Sequence, residues 1–169
     1  KVSRLVASEN LPVCWTTPKP LNFPVQMMCY KKESKRVKTK MGDSIIKLSI
    51  QSDTDEIDKR KTAQSICPNL IHSLDASCLM LAVIKAKDKG VTNFSLIHDS
   101  FGCVAPDVHK LSEAIREAFC EVYEQDVLTN WAMEMKQMLS DKNAKKFPHI
   151  PERGNLDLSL VKQSIFFCV

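Results

Sequence analysis

The stretch from Pro68 to Lys89 holds helical pattern throughout and is followed by Gly90, a residue suited to ending a helix. Pro68 can open such a helix, because a first-turn residue has no use for its N–H. One long central helix results, and the rest of the chain has to be arranged around it. Leu70, Leu74, Leu81 and Ile84 recur on one face, while His72 and Asp75, three apart, share the opposite side. Leu79 and Val83 continue below that pair. With apolar residues on both sides, the helix is expected to be covered on two faces, leaving His72 and Asp75 near its N-terminal mouth against other protein or a ligand. A lone histidine there is more often a structural hydrogen-bonder than a functional group.

Beyond Gly90, Val91 to Ile97 has strand composition, His98-Asp99 marks a bend, and Phe101 to Ala105 reads as a return strand. A carboxylate at a tight bend between strands costs desolvation unless a cation or donor meets it. Three chemistries are open to the pair. A hydrolytic triad needs a histidine turned toward its carboxylate, whereas adjacent strand residues point to opposite faces. A transition-metal site has little support, since His72 and His98 form no paired-ligand motif. The third is a magnesium site for phosphoryl transfer, with Asp99 as one of two carboxylates and the second from elsewhere.

After Pro106, the residues Val108, Leu111, Ile115, Ala118, Phe119 and Val122 give an amphipathic helix with His109, Lys110, Glu113, Arg116 and Glu117 outside. Asp107 is read as its cap and Asp75 as a helix-face residue. A second helix from Asp126 is expected to bury Val127, Leu128, Trp131, Met135 and Met138. Upstream, Leu11 to Ile50 is rich in proline, threonine, tryptophan and valine, with extended candidates at Val13 to Thr17, Val25 to Lys31 and Ile45 to Gln51. Ser52 or Asp53 then caps a helix that ends before Pro68. The chain accordingly divides into 1–51, a β-rich segment; 52–106, helix and hairpin; and 107–169, C-terminal helices and an aromatic tail. The fold class is α+β.

At 169 residues, with 44% hydrophobic and 26% charged side chains, this is the composition of one folded unit rather than of a disordered chain. Its longest apolar run, Cys78 to Ile84, stops at Lys85, far short of the roughly 18 residues of a membrane span. No membrane partner is expected. The seven cysteines show no CxxC pair and read as reduced intracellular thiols, mostly packing residues. The net charge of +4 is modest, yet Lys31 to Lys40, KKESKRVKTK, is densely basic. Lys35, Arg36, Lys38 and Lys40 can follow a phosphate backbone; the competing reading is a solvated hairpin tip. The chain opens at Lys1 and is expected to be a piece of something longer.

The segment ICPNLIHSLDASCLMLAV, Ile66 to Val83, followed by FSLIHDSFG, Phe94 to Gly102, closely resembles the C-terminal region of the single-subunit, bacteriophage-type DNA-dependent RNA polymerases, mitochondrial and plastid enzymes among them. The likeness extends to WTTPKPLNFPVQ, DEIDKRKTAQS and the closing PERGNLDLSLVKQSIFFCV, so it spans essentially the whole chain. KKESKRVKTK alone departs from the pattern.

The resemblance implies part of a right-hand polymerase palm, with a β-hairpin carrying the catalytic aspartate, a long central helix and C-terminal helices. Asp99 would then be one of two metal-binding catalytic aspartates in a two-metal Mg2+ site, the other lying outside this chain. His98 would lie beside the growing RNA end and His72 along the nucleic-acid path. The implied activity is nucleotidyl transfer from NTPs to an RNA 3′ end, with DNA template, nascent RNA and the upstream part of the polymerase as partners, and the segment is expected to be inactive alone. A mitochondrion, another organelle or a phage-infected cytoplasm would house it. The alternatives are a non-catalytic nucleic-acid-binding module on a palm-like scaffold, a family-A DNA polymerase fragment, and an α+β domain with no activity.

Overall fold

The computed structural model describes residues 1–97 and 99–164, and it is a mixed α+β arrangement built around one helix. In chain order the elements are α1 (Val2–Ser8), β1 (Val13–Thr16), β2 (Pro24–Met27), β3 (Tyr30–Met41), β4 (Ser44–Ile57), α2 (Lys59–Asp88), β5 (Phe94–Ile97), β6 (Ser100–Cys103), α3 (Val108–Glu124), α4 (Val127–Gln137), α5 (Asp141–Ala144) and α6 (Ser159–Gln163). The described strands pair only as three antiparallel hairpins, β1–β2, β3–β4 and β5–β6. No larger sheet joins them among the described residues, so helix packing holds the core.

The helix α2 is longer at its N-terminus than the sequence suggests. Strand β4 runs on to Ile57 through Ser52 and Asp53, and the cap is Asp58, whose carboxylate accepts from the Lys61 N–H at 2.9 Å. Pro68 does not open a second helix but sits inside the first. An internal proline costs about 3 kcal/mol through a lost backbone bond and a ring clash. Burial on either side of it offsets that cost: Ile66 is fully buried against α1, the first hairpin and α4, and Leu74 is nearly so. The other end follows expectation. Gly90 takes a φ of 88° and donates to the Lys87 carbonyl at 2.9 Å, while Val91 N–H reaches back to the Ala86 carbonyl at 3.0 Å. Val91 is itself fully buried beside Ala86, which locks the stop.

Three buried clusters line α2. Its N-terminal half joins Val6, Val13, Trp15, Met27, Trp131 and Met135 around Ile66. Farther along, Leu81 and Ala82 meet Ala118 and Val122 of α3, and Ala86 and Val91 meet Leu111 and Ala114. Ile84, expected on the buried stripe, is instead exposed, because α3 covers a different face from the one α1 and β1–β2 cover. By length and composition α2 could cross a membrane; 28% of its most apolar stretch is buried here, and it packs against α1 and α3. In α4, Trp131 and Met135 are buried as expected and Leu128 is exposed. Asp126 caps it by accepting from Thr129 N–H at 3.1 Å. Asp107 occupies the N-cap position of α3, but its carboxylate pairs with Lys110 at 2.8 Å and makes no capping bond. Among the described cysteines, Cys29 and Cys120 are buried, whereas Cys14 and Cys67 are exposed.

One polar tie closes the structure between residues distant in sequence. The Glu9 carboxylate, just past α1, accepts from Ser140 N–H at 3.0 Å, Ser140 Oγ at 2.8 Å and Asn143 Nδ2 at 2.8 Å. The hydrogen bond from Asn143, then those from Ser140, hold its carboxyl below the ordinary glutamate value.

Two outcomes follow for unfolding experiments. Asp58→Ala is expected to destabilise the chain by about 1 kcal/mol in urea, while Ser52→Ala and Asp53→Ala leave the midpoint unchanged; equal effects at all three would place the helix start wrongly. Because the folded-state pKa of Glu9 is depressed, its contribution is complete above the unfolded glutamate range and is lost as pH falls through the folded value. Thermal midpoints measured from pH 7 to pH 3 should therefore fall less steeply for Glu9→Gln than for the parent chain.

Candidate nucleic-acid and metal site

The hairpin β5–β6 pairs Phe94 with Cys103, Leu96 with Phe101 and Ile97 with Ser100. The connection between Ile97 and Ser100 therefore has only two residues, and Asp99 is one of them. Side chains on opposite residues share a face, so Phe94, Leu96, Phe101 and Cys103 form the inner side. Their neighbours give the hairpin a direction. Phe94 and Cys103 pack at the level of Ala86 and Val91, whereas Phe101, nearer the tip, also reaches the cluster of Leu81 and Ala82. Along the hairpin, the packing thus shifts from the level of Ala86 and Val91 toward that of Leu81 and Ala82.

Helix periodicity relates His72 and Asp75 to the residues that α3 covers. At about 100° per residue, Asp75 lies at nearly the angular position of Ala82 and Ala86, and His72 lies about 60° from Asp75. Ala82 and Ala86 are buried beneath α3 and the hairpin. Two to three turns before Ala82, His72, Asp75 and Ile71 are exposed. From Leu81 to Asp75 is about 9 Å along the helix, and from Phe101 to Asp99 about 6 Å along the strand. His72 stands mid-helix, not at an N-terminal mouth, because α2 begins at Lys59.

Around this opening the structure supplies a floor. Tyr123 of α3 packs against Leu81, Ala82 and Val122, and its hydroxyl is pushed up by burial first, then by Cys78 and Asp75. The Asp99 carboxylate is exposed and makes no hydrogen bond or ion pair with any described residue. No group of three or more His, Cys, Asp or Glu among the described residues is placed to hold a metal. One exposed hard oxygen donor fits a hard divalent ion as a single ligand, and the remaining ligands would have to come from outside these residues. His98 lies outside the described residues.

The basic run sits elsewhere. Lys31 to Lys40 is not a hairpin tip but most of strand β3, paired over its length with β4, and the tip comes at Gly42, whose φ is 63°. The register divides the run by face. Lys32, Arg36, Lys38 and Lys40 share one side with Lys47 of β4, while Lys35 shares the other with Val37, Leu48 and Ile50. Val37, Leu48 and Ile50 are all exposed, so this ribbon is bare on both faces. Lys31 is neutralised by Glu56 at the base. The sequence reading missed this two-facedness; the alternation in KRVKTK beside IIKLSI carried it, but only the pairing register aligns the two patterns.

Comparison with known proteins adds an independent finding. A family model described as DNA-dependent RNA polymerase matches residues 2–146. The chain is 40% identical over 165 residues to DNA-directed RNA polymerase 2, chloroplastic/mitochondrial, of Arabidopsis thaliana, an alignment covering 98% of this chain and 15% of that protein. It is 35% identical over 165 residues to DNA-directed RNA polymerase 1, mitochondrial, of Nicotiana sylvestris, covering 98% of this chain and 16% of the relative. With DNA-directed RNA polymerase 1A of Nicotiana tabacum it shares 36% identity over 163 residues, 96% of this chain and 99% of that one. The chain therefore spans about one sixth of the two organellar polymerases.

Proposed function

This chain belongs to the DNA-dependent RNA polymerase family, and on that premise we propose that it forms palm and C-terminal elements of an enzyme adding nucleotides from NTPs to an RNA 3′ end on a DNA template. The observation that carries the reading is the β5–β6 tip: an exposed Asp99 with no hydrogen bond or ion pair to any described residue, on a hairpin packed against the same helix, α2, that presents an exposed His72. Asp99 contributes one carboxylate to a Mg2+ site completed by a second carboxylate from outside this chain. When bound, Mg2+ supplies charge stabilisation for transfer at the α-phosphate.

The chain's own residues bind and orient. Asp99 offers a carboxylate oxygen at the end of a short, anchored hairpin, since Phe94 and Phe101 pin both strands to α2 and α3. His72 offers a ring nitrogen to the nucleic acid that passes over α2, and His98, next to Asp99 in sequence, lies beside the RNA end. Arg36, Lys38 and Lys40 present one charged side of the β3–β4 ribbon to phosphates, with Lys35 on the reverse. The segment needs the rest of the catalytic machinery and does not polymerise alone. The printed names of the relatives, chloroplastic and mitochondrial, support an organelle as the site of action.

Two experiments test this. In the full polymerase carrying this segment, Asp99→Asn should lower the rate of nucleotide addition on the order of 100-fold or more with template affinity nearly intact, while His72→Ala and His98→Ala give partial losses. Normal elongation by Asp99→Asn overturns the assignment. For the ribbon, replacing Arg36, Lys38 and Lys40 with glutamine should flatten the log–log salt dependence of duplex DNA binding by about 0.9 per lost phosphate contact. Lys35→Gln alone should leave the slope where it was; an unchanged slope in the triple variant removes the ribbon from the interface.

A further inference from the structure

The segment from Asn69 to Asp75 has two sides, and only one of them faces the open surface. On the covered side, Trp15 Nε1 of β1 donates to Ser73 Oγ at 3.0 Å, and Ser73 Oγ donates in turn to the Leu70 carbonyl at 2.7 Å. One turn earlier, Asn69 Nδ2 donates to the Ser65 carbonyl at 2.8 Å and approaches Met27 Sδ of β2 at 3.3 Å. Trp15 is 3% exposed and wedged into the largest core cluster, so it cannot move independently of that core.

These contacts bear on a part of α2 that is otherwise weakly determined. Pro68 interrupts the backbone ladder one turn before His72, and apolar packing resists small rotations of a helix about its axis only weakly, because it is non-directional. A hydrogen bond from a buried indole to a helix side chain is directional. Ser73 adjoins His72, so holding Ser73 toward β1 fixes where the His72 side chain leaves the helix, about 100° around.

From this geometry we infer that Trp15 and Ser73 are positioning residues for His72, fixing the rotation of α2 so that the imidazole meets the nucleic acid. The inference rests on the reading of His72 as a nucleic-acid contact. Trp15 touches no substrate; its role passes through Ser73. The hydroxyl is the essential feature of residue 73, and the indole N–H that of residue 15.

The test is made in the full polymerase carrying this segment, measuring affinity for an RNA–DNA hybrid, KM for NTPs and thermal midpoint. The variants are His72→Ala, Trp15→Phe, Ser73→Ala, Ser73→Thr and the two doubles of Trp15→Phe and Ser73→Ala with His72→Ala. Trp15→Phe keeps the ring and removes the donor, and Ser73→Ala is a second, smaller lesion should the first disturb folding. Each should weaken hybrid affinity on the order of fivefold, the scale of one lost hydrogen bond, with KM for NTPs unchanged. Ser73→Thr should restore affinity, and neither double should bind worse than His72→Ala alone. Wild-type affinity in both single variants beside an impaired His72→Ala overturns the positioning role and leaves the His72 reading standing. Full additivity in the doubles overturns it too. Wild-type affinity in His72→Ala removes the underlying reading, and the inference falls with it.

Discussion

The packing of α2 against two different partners on two different faces is the constraint on which the rest depends. In its N-terminal half, Ile66 and Leu70 are covered by α1 and the first hairpin; in its C-terminal half, Ala82 and Ala86 are covered by α3. A helix buried on one stripe along its whole length would leave one continuous polar face. Here the cover changes sides, and the face that α3 occupies farther along is left bare at Ile71, His72 and Asp75. The candidate site is that gap. Small residues make the change possible, since Ala82, Ala86, Ala114 and Ala118 are almost wholly buried and let α3 approach closely.

Around that gap, rigidity and exposure are distributed unevenly. The β5–β6 hairpin is only four residues per strand, yet Phe94, Phe101 and Cys103 tie it to two helices, so the carboxylate at its tip rests on a fixed support. By contrast, the β3–β4 ribbon has twelve and fourteen residues per strand and packs on little beyond itself. An isolated two-stranded ribbon is marginal in water, and this one leaves apolar side chains exposed on one side and lysines on the other. It is the part of the chain whose conformation owes least to the core.

The C-terminal segment is held differently again, by polar contacts to the side of α3. Arg153 donates to the Tyr123 and Glu124 carbonyls at the end of α3, Leu158 O accepts from Cys120 Sγ, and Ser164 O accepts from Arg116 at 2.9 Å. A strap with little regular structure can thus follow a helix without a sheet or a large apolar face. Burial pushes the Cys120 thiol up, in keeping with an Sγ–H that donates to the Leu158 carbonyl.

The sequence by itself determined the long helix and its stop at Gly90, the short hairpin around Asp99, the two amphipathic helices, and, through the two central motifs, the family. These are local properties: periodicity, turn chemistry and a glycine at positive φ report on neighbours within a few residues. It did not reveal that Pro68 lies within the helix or that Asp58 begins it, because the helix runs through the proline where distant segments bury Ile66, a gain that offsets the local cost of the proline. Nor could it divide Lys35 from Arg36, Lys38 and Lys40, since strand faces acquire meaning only when the register with β4 is known. That the β5–β6 hairpin packs along α2, and that Trp15 holds Ser73 from 58 residues away, were decided by tertiary structure alone, because contacts between remote residues leave no periodic trace in the chain.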